Sequence, residues 1–239
     1  MKMPSNRLWG LIAAGGAGER VGGTLPKQHH ELAGETVLDW SLRAVLAVPA
    51  LQGVMLVTAE SDTTVGSIAG STDPRIHRCS GGATRVDSVI AGLRALREQG
   101  AAEQDRVLVH DAARPAVQTP DIIRLVEAVG DHPDGGLLAT PVRDTLKRAD
   151  ERGRVSDTVP RVSLWQAMTP QLFPLGRLIE ALESSQGQQI TVTDESQAME
   201  KIGASPLLVQ SPMTNIKYTW ETDRQWLATI LADNNGERQ

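Results

Sequence analysis

Short, wholly apolar runs alternate with stretches of helical periodicity between residues 8 and 140, and no other feature restricts the fold of this chain as much. Residues 8–14 and 53–58 carry apolar side chains at odd and even positions alike, the pattern of strands buried on both faces. Between them Leu38, Leu42, Val45 and Leu46 share one face of residues 35–48, and Pro49 closes that helix. Val86, Val89, Ile90, Leu93 and Leu96 make the stripe of a second helix over residues 84–99, stopped by Gly100. Residues 106–110 read as a third buried strand. Thr119, Pro120 and Asp121 then supply an N-cap, a proline at the first helical position and an acid in the first turn. That helix reaches Val129, and a strand over residues 135–140 follows it. Strands buried on both faces need helices over both, so the pattern predicts an α/β fold: a Rossmann-like, mostly parallel sheet with helices on both faces. No repeat period or linker composition divides the chain, and residues 1–239 read as a single domain.

The rhythm changes after residue 140. Residues 142–147 alternate, Asp150, Glu151, Arg152 and Gly153 form a turn, and residues 154–159 return, so residues 141–160 read as a projecting β-hairpin arm. Few large apolar side chains anchor it, which suits docking on a second subunit. Beyond it, helices are expected over residues 175–185, 194–202 and 221–231, a short strand over residues 207–209, and a frayed tail from Asn234.

Charge narrows the partners. With 24 Lys and Arg against 29 Asp and Glu, the net charge of −5 argues against coating nucleic acid or an anionic membrane, while leaving room for a local basic pocket. Five Trp, one Tyr and one Phe are too few for a stacking platform, so neither nucleic acid nor membrane is an expected partner. Cys79 is the only cysteine, so no internal disulfide forms, and the expected home is a reducing compartment, the cytoplasm. Residues 8–14 follow Lys2 and Arg7 and invite a signal-peptide reading, but cleavage would discard the glycine-rich segment that follows; a buried first strand is the preferred reading.

That segment is Ala13, Ala14, Gly15, Gly16, Ala17, Gly18, Glu19 and Arg20. In an open parallel sheet ligands bind beyond the carboxyl ends of strands, and glycines let backbone N–H groups face phosphate oxygens. Val21 stands where a dinucleotide fingerprint needs a third Gly or Ala, and no Gly-Lys-Ser/Thr follows to make a P-loop. Arg20 and Lys27 come soon after the loop. Either alone reads as a surface charge, but coupled to the glycines they can neutralise a triphosphate and the charge that builds when phosphorus is attacked. Residues 81–88 open a helix and offer amides to an anion or a base edge, or else form an ordinary capped loop. Asp111, after the strand at residues 106–110, suits Mg2+, a substrate hydroxyl or a turn cap. Arg114 offers a fork for a phosphate monoester, and His110 reads as structural.

Residues 13–20 followed by Pro26, Lys27 and Gln28 are similar to the signature of sugar-phosphate nucleotidyltransferases. Further motifs fall in the order of one branch: Gly81, Gly82, Arg85, Ser88 and Val89, then Val109 through Pro115, then Asp144 through Lys147. Thr169-Pro170-Gln171, Thr193-Asp194-Glu195 and Asn215-Ile216-Lys217 complete them. From residue 8 to about residue 219 the chain thus resembles the 2-C-methyl-D-erythritol 4-phosphate cytidylyltransferases. The resemblance implies a nucleotidyltransferase that converts CTP and 2-C-methyl-D-erythritol 4-phosphate to 4-diphosphocytidyl-2-C-methyl-D-erythritol and pyrophosphate, with Mg2+, in the non-mevalonate isoprenoid route. It implies that Arg20, Lys27 and Lys217 act at the reacting phosphates. It assigns nucleotide binding to Ala13, Ala14, Gly15, Gly16, Gly18, Gly82, Ser88 and Asp111, and metal binding to Asp111. Asp111, Arg114, Thr145, Arg161, Thr169 and Thr193 would face the sugar phosphate, with Thr145 and Arg161 serving the partner's site in an arm-exchanged homodimer.

The chain departs from the family pattern at three places. His29 and His30 stand where an aromatic residue and a Leu are usual, Pro160 and Val162 flank Arg161 in place of Asp and Asn, and Thr219, Trp220 and Glu221 replace the commoner threonine and proline. Two alternatives remain: a cytidylyltransferase for another polyol phosphate, such as ribitol 5-phosphate, and a nucleotide-binding regulatory module without catalysis. Retention of Arg20, Lys27, Asp111 and Lys217 favours an enzyme.

Overall fold

A computed structural model describes residues 4–15, 25–62 and 73–236, with side chains through residue 233. The chain runs through β1 (Leu8–Ala13), a 3-10 turn (Lys27–His29), β2 (Glu31–Leu32), β3 (Glu35–Thr36), α1 (Val37–Leu46), β4 (Leu51–Thr58), β5 (Ile76–Ser80), α2 (Arg85–Glu98) and β6 (Arg106–Asp111). It continues through α3 (Thr119–Val129), β7 (Gly136–Pro141), β8 (Leu146–Ala149), β9 (Val155–Val159), β10 (Trp165–Pro174), α4 (Leu175–Gly187), α5 (Glu195–Lys201), β11 (Leu207–Gln210) and α6 (Asp223–Gly236).

Seven strands pair in the order β11-β7-β10-β6-β1-β4-β5. All are parallel except β10, which lies antiparallel between β6 and β7. The apolar runs are explained by the two faces of this sheet. In β1 the adjacent residues Leu11 and Ile12 are both 0% exposed. Ile12 joins Leu38 and Leu42 of α1 and Ile122 and Leu125 of α3 on one face. Leu11 joins Val89 and Leu93 of α2, Leu178 of α4 and Met199 of α5 on the other. A third cluster sets Tyr218, Leu227 and Leu231 against Leu32, Val37 and Trp40, seating α6 beside β2 and α1. The α/β expectation therefore holds, and the β8–β9 hairpin is present as a separate two-stranded sheet with Val155 65% exposed. Among the described residues no helix is long and apolar enough to cross a membrane.

Local details differ from the sequence-based expectation. Gln118, not Thr119, is the N-cap of α3, without a side-chain cap bond; Thr119 Oγ1 donates instead to the Ala44 carbonyl at 3.0 Å, pinning α3 to α1. Four strands are additions: the short β2–β3 pair and, in the seven-stranded sheet, β5 and β10. β5 is a polar edge strand paired only with β4. β10 contains Pro170, which argues against a central strand, but the β10–β7 register shifts between Ala167 and Gln171, so the proline falls where the ladder is already interrupted. Residues 234–236 continue α6 rather than fraying from its end.

Candidate active site

Parallel pairing delivers four strand ends to one edge of the sheet. Ala13 is in register with Val57 and with Asp111, and Thr58 with Ser80. The loops leaving β1, β4, β5 and β6 are stitched together there: Ala14 N–H donates to Val57 O at 2.8 Å, Gly81 N–H to Thr58 O at 2.7 Å, and Ala112 N–H to Ala13 O at 3.2 Å. Gly15 thus comes beside α2, where a Cβ on it would lie 3.7 Å from Ser88 Oγ. The 81–82 pair must be glycine: a Cβ at Gly81 would meet Ser88 Oγ at 2.6 Å, and one at Gly82 would meet Asp87 Cβ at 2.3 Å. Ser88 Oγ accepts from Gly82 N–H at 3.1 Å and donates to Thr84 O at 2.9 Å. Thr84 and Asp87 bond reciprocally as a capping box, which fixes the start of α2 behind this turn. Gly16, Gly18 and Arg20 lie outside the described residues.

A charged array sits at the end of β6. Lys217 Nζ is 2.6 Å from Asp111 Oδ2, while Arg85 Nε and NH2 lie 3.0 and 2.9 Å from Oδ1. Arg85 also grips Glu195, which is 1% exposed, with NH1 2.6 Å from Oε1 and NH2 3.1 Å from Oε2. Burial opposes charge on the Asp111 carboxyl, but Arg85 and Lys217, with Arg114 behind them, outweigh it and hold the group far below the usual carboxylate range. Burial likewise opposes charge on Arg85, and Glu195 and Asp111 overcome it. Arg85 and Glu195 are additions to the sequence-based set. Arg85 lies within a quoted motif, and only the buried acid on α5 reveals its second partner.

A second layer of polar contacts supports Asp111. The Thr169 hydroxyl, 4% exposed, accepts from Asp111 N–H at 3.1 Å and lies 2.9 Å from His110 Nδ1. His110 Nε2 is 3.3 Å from Arg114 O, so a neutral ring satisfies both contacts: Nε2–H donates to the carbonyl and Nδ1 accepts from the threonine. Arg114 NH1 donates to Asn215 O at 2.8 Å, and Asn215 Nδ2 donates to Thr169 O at 3.0 Å. Burial pulls His110 down to about 4. Because the folded value is below the unfolded one near 6.5, this contribution is fully present above about pH 6.5. It is lost as the pH falls toward 4, amounting to about 2 to 3 kcal/mol by pH 4.5. Urea unfolding at pH 7.5 and 4.5 should show that loss in the wild type and a smaller one in His110→Gln; equal losses would contradict the neutral buried ring.

Lys27 approaches the same centre from the 3-10 turn. Its Nζ donates to the Tyr218 carbonyl at 3.2 Å, beside Lys217. Gln28 Nε2 donates to Ala14 O at 2.8 Å, and His29 Nε2 lies 2.7 Å from Asp62 Oδ2, so the turn is tied to the ends of both β1 and β4.

The family model for IspD, 2-C-methyl-D-erythritol 4-phosphate cytidylyltransferase, matches residues 8–233. The chain belongs to this family. The enzyme of that name from Pseudomonas putida is 49% identical over 219 residues, covering 92% of this chain and 93% of the relative. The one from Ectopseudomonas mendocina is 43% identical over 234 residues, covering 98% and 100%. A crystal structure of a 4-diphosphocytidyl-2C-methyl-D-erythritol synthase superposes with a TM-score of 0.83 at 38% identity, over 95% of this chain and 99% of that one. The Francisella tularensis cytidylyltransferase superposes at 0.79 with 31% identity, over 94% and 100%.

Of the residues that the cytidylyltransferase resemblance singles out, Lys27, Asp111, Arg114, Thr169 and Lys217 fall within one connected set of contacts, with Gly15 and Gly82 just beyond the adjoining strand ends and Ser88 in the first turn of α2. Thr193 is exposed ahead of α5, its hydroxyl 3.3 Å from Gln197 Oε1. Thr145 and Arg161 stand exposed at the two stems of the hairpin. Among the described residues no group of three or more His, Cys, Asp or Glu side chains gathers as a metal cage. A single ionised carboxylate nonetheless fits Mg2+, which commonly takes one or two carboxylates and completes its shell with substrate phosphates and water.

Proposed function

We propose that the protein transfers the cytidylyl group of CTP to 2-C-methyl-D-erythritol 4-phosphate, the family's step in non-mevalonate isoprenoid biosynthesis, and releases pyrophosphate. The observation that carries this reading is the arrival of Lys27 and Lys217 at one short segment, beside an ionised Asp111, at the carboxyl edge of the sheet. A phosphate oxygen of the sugar phosphate attacks the α-phosphorus of CTP. A new P–O bond forms as the bond from that phosphorus to the β-phosphate oxygen breaks, and pyrophosphate leaves with the electron pair. No protein nucleophile is required. The groups that matter are those that orient the reactants and neutralise the charge spread over the phosphoryl oxygens and the leaving group.

In this reading Arg20, Lys27 and Lys217 supply that neutralisation. Gly15, Gly16 and Gly18 offer backbone groups to the triphosphate, and Ala13 and Ala14, whose main chain is bonded to Val57, Ala112 and Gln28, seat the start of that loop against the nucleotide. Gly82 and Ser88 hold the base by main-chain and hydroxyl contacts, which requires no aromatic platform. Asp111 would hold Mg2+, whose charge when bound draws the phosphates together and offsets their repulsion. Asp111 also faces a ribose or sugar hydroxyl. Arg114, Thr169 and Thr193 bind the sugar phosphate, and Thr169, through its bond to the Asp111 amide, keeps the carboxylate in place. The chain acts as a homodimer in the cytoplasm, with Thr145 and Arg161 delivered by the arm to the neighbouring subunit's site.

Pyrophosphate release with CTP, Mg2+ and either 2-C-methyl-D-erythritol 4-phosphate or ribitol 5-phosphate tests the substrate. The expected kcat/KM for the methylerythritol compound exceeds that for ribitol 5-phosphate by about 100-fold or more. The reverse preference would reassign the substrate, and no release with either would favour a binding module.

A further inference from the structure

Two of the stretches that depart from the family's usual residues, His29-His30 and Thr219-Trp220-Glu221, meet in the fold, and they meet at Tyr218. His30 is half-buried ahead of β2, with Nε2 3.0 Å from the Leu25 carbonyl and Nδ1 3.1 Å from the Tyr218 hydroxyl. The two rings lie edge to face, centroids 5.8 Å apart. On its other side the hydroxyl donates to Glu221 Oε2 at 3.0 Å. Burial, reinforced by Glu221, pushes the phenol up to about 12, so it keeps its proton.

The main chain of Tyr218 does different work. Its N–H donates to Ala113 O at 2.7 Å, and its carbonyl accepts from Lys27 Nζ at 3.2 Å. Residues 215–219 belong to no helix or strand, so isolated bonds and side-chain anchors set where that carbonyl points. The opposite side of the contact is tied as well, because His30 N–H donates to the Lys27 carbonyl at 3.2 Å. A lysine has a four-carbon stem with many rotamers, and holding its ammonium near its working position reduces the entropy lost when the phosphates arrive.

We propose that Tyr218 is a positioning residue for Lys27: its hydroxyl, clasped between His30 and Glu221, fixes the carbonyl on which the Lys27 ammonium rests. The proposal rests on the reading of Lys27 as a group that neutralises the reacting phosphates. Tyr218→Phe keeps the ring in its apolar cluster and removes only the clasp, and His30→Leu opens the same clasp from the other side. Each should lower kcat by about tenfold and leave KM for both substrates within about twofold, since Lys27 acts on charge that grows toward the transition state. The double variant should lose no more than either single one, as expected when two changes break one unit. A second readout needs no turnover: brief acetic anhydride labelling, quantified by mass spectrometry, should modify Lys27 about threefold faster in Tyr218→Phe, the scale of one net hydrogen bond. Wild-type kcat in Tyr218→Phe would overturn the proposal. So would unchanged Lys27 labelling, whether or not the wild type transfers cytidylyl groups. Faster labelling in a protein whose wild type shows no transfer would support the clasp and sink only the proposed reaction.

Discussion

Replacing Lys27 by Ala should lower kcat by about 100- to 1,000-fold and leave the thermal midpoint within a few degrees of the wild type. The large kinetic effect follows from the chemistry, because the α-phosphoryl oxygens and the departing pyrophosphate gain negative charge together, and a fixed ammonium nearby is worth most at that moment. The small stability effect follows from the setting. Lys27 is only half-buried, and its ammonium meets a neutral acceptor in the Tyr218 carbonyl. Steady-state kinetics and a thermal melt on the same preparation check both halves; near-normal turnover would remove Lys27 from the reacting centre. The variant also tests the arm. In an arm-exchanged homodimer, mixing Lys27→Ala with Arg161→Ala subunits leaves every heterodimer with one intact site, so random exchange should restore about a quarter of wild-type activity. No recovery would mean that Arg161 serves its own subunit.

Arg85→Met should be the most destabilising single change in the site, at about 3 kcal/mol or more. The guanidinium is the shared partner of Asp111 and Glu195, and Glu195 is 1% exposed. Removing it leaves a buried carboxylate without a counter-charge, which costs more than the ion pair itself contributes. Adding Glu195→Leu should recover most of the loss, because Asp111 keeps Lys217 at 2.6 Å. Urea unfolding of the single and double variants measures this; a single variant as stable as the wild type would show that the buried acid does not depend on Arg85.

Both variants target contacts that span the chain, and such contacts are where the sequence stops being readable. The sheet was legible because residues buried on both faces, such as Leu11 and Ile12, leave a continuous apolar run, and the helix stripes leave a different period. Strand β10 was not, since Pro170 contradicts a central strand unless the neighbouring register already shifts there. The segments that carry the site were visible as motifs, but their connections were not. Asp111 and Lys217 are separated by 106 positions and Arg85 and Glu195 by 110, and nothing local in sequence says which cation faces which acid. The same holds for Tyr218, an ordinary core residue by composition whose carbonyl receives Lys27.

The cytidylyl group should move from CTP to a sugar phosphate without passing through the protein. A single-turnover experiment with CTP labelled at the α-phosphorus tests it most directly. The label should appear in 4-diphosphocytidyl-2-C-methyl-D-erythritol, matched by pyrophosphate and dependent on 2-C-methyl-D-erythritol 4-phosphate. Label recovered on the protein, or as CMP whether or not the sugar phosphate is present, would contradict it.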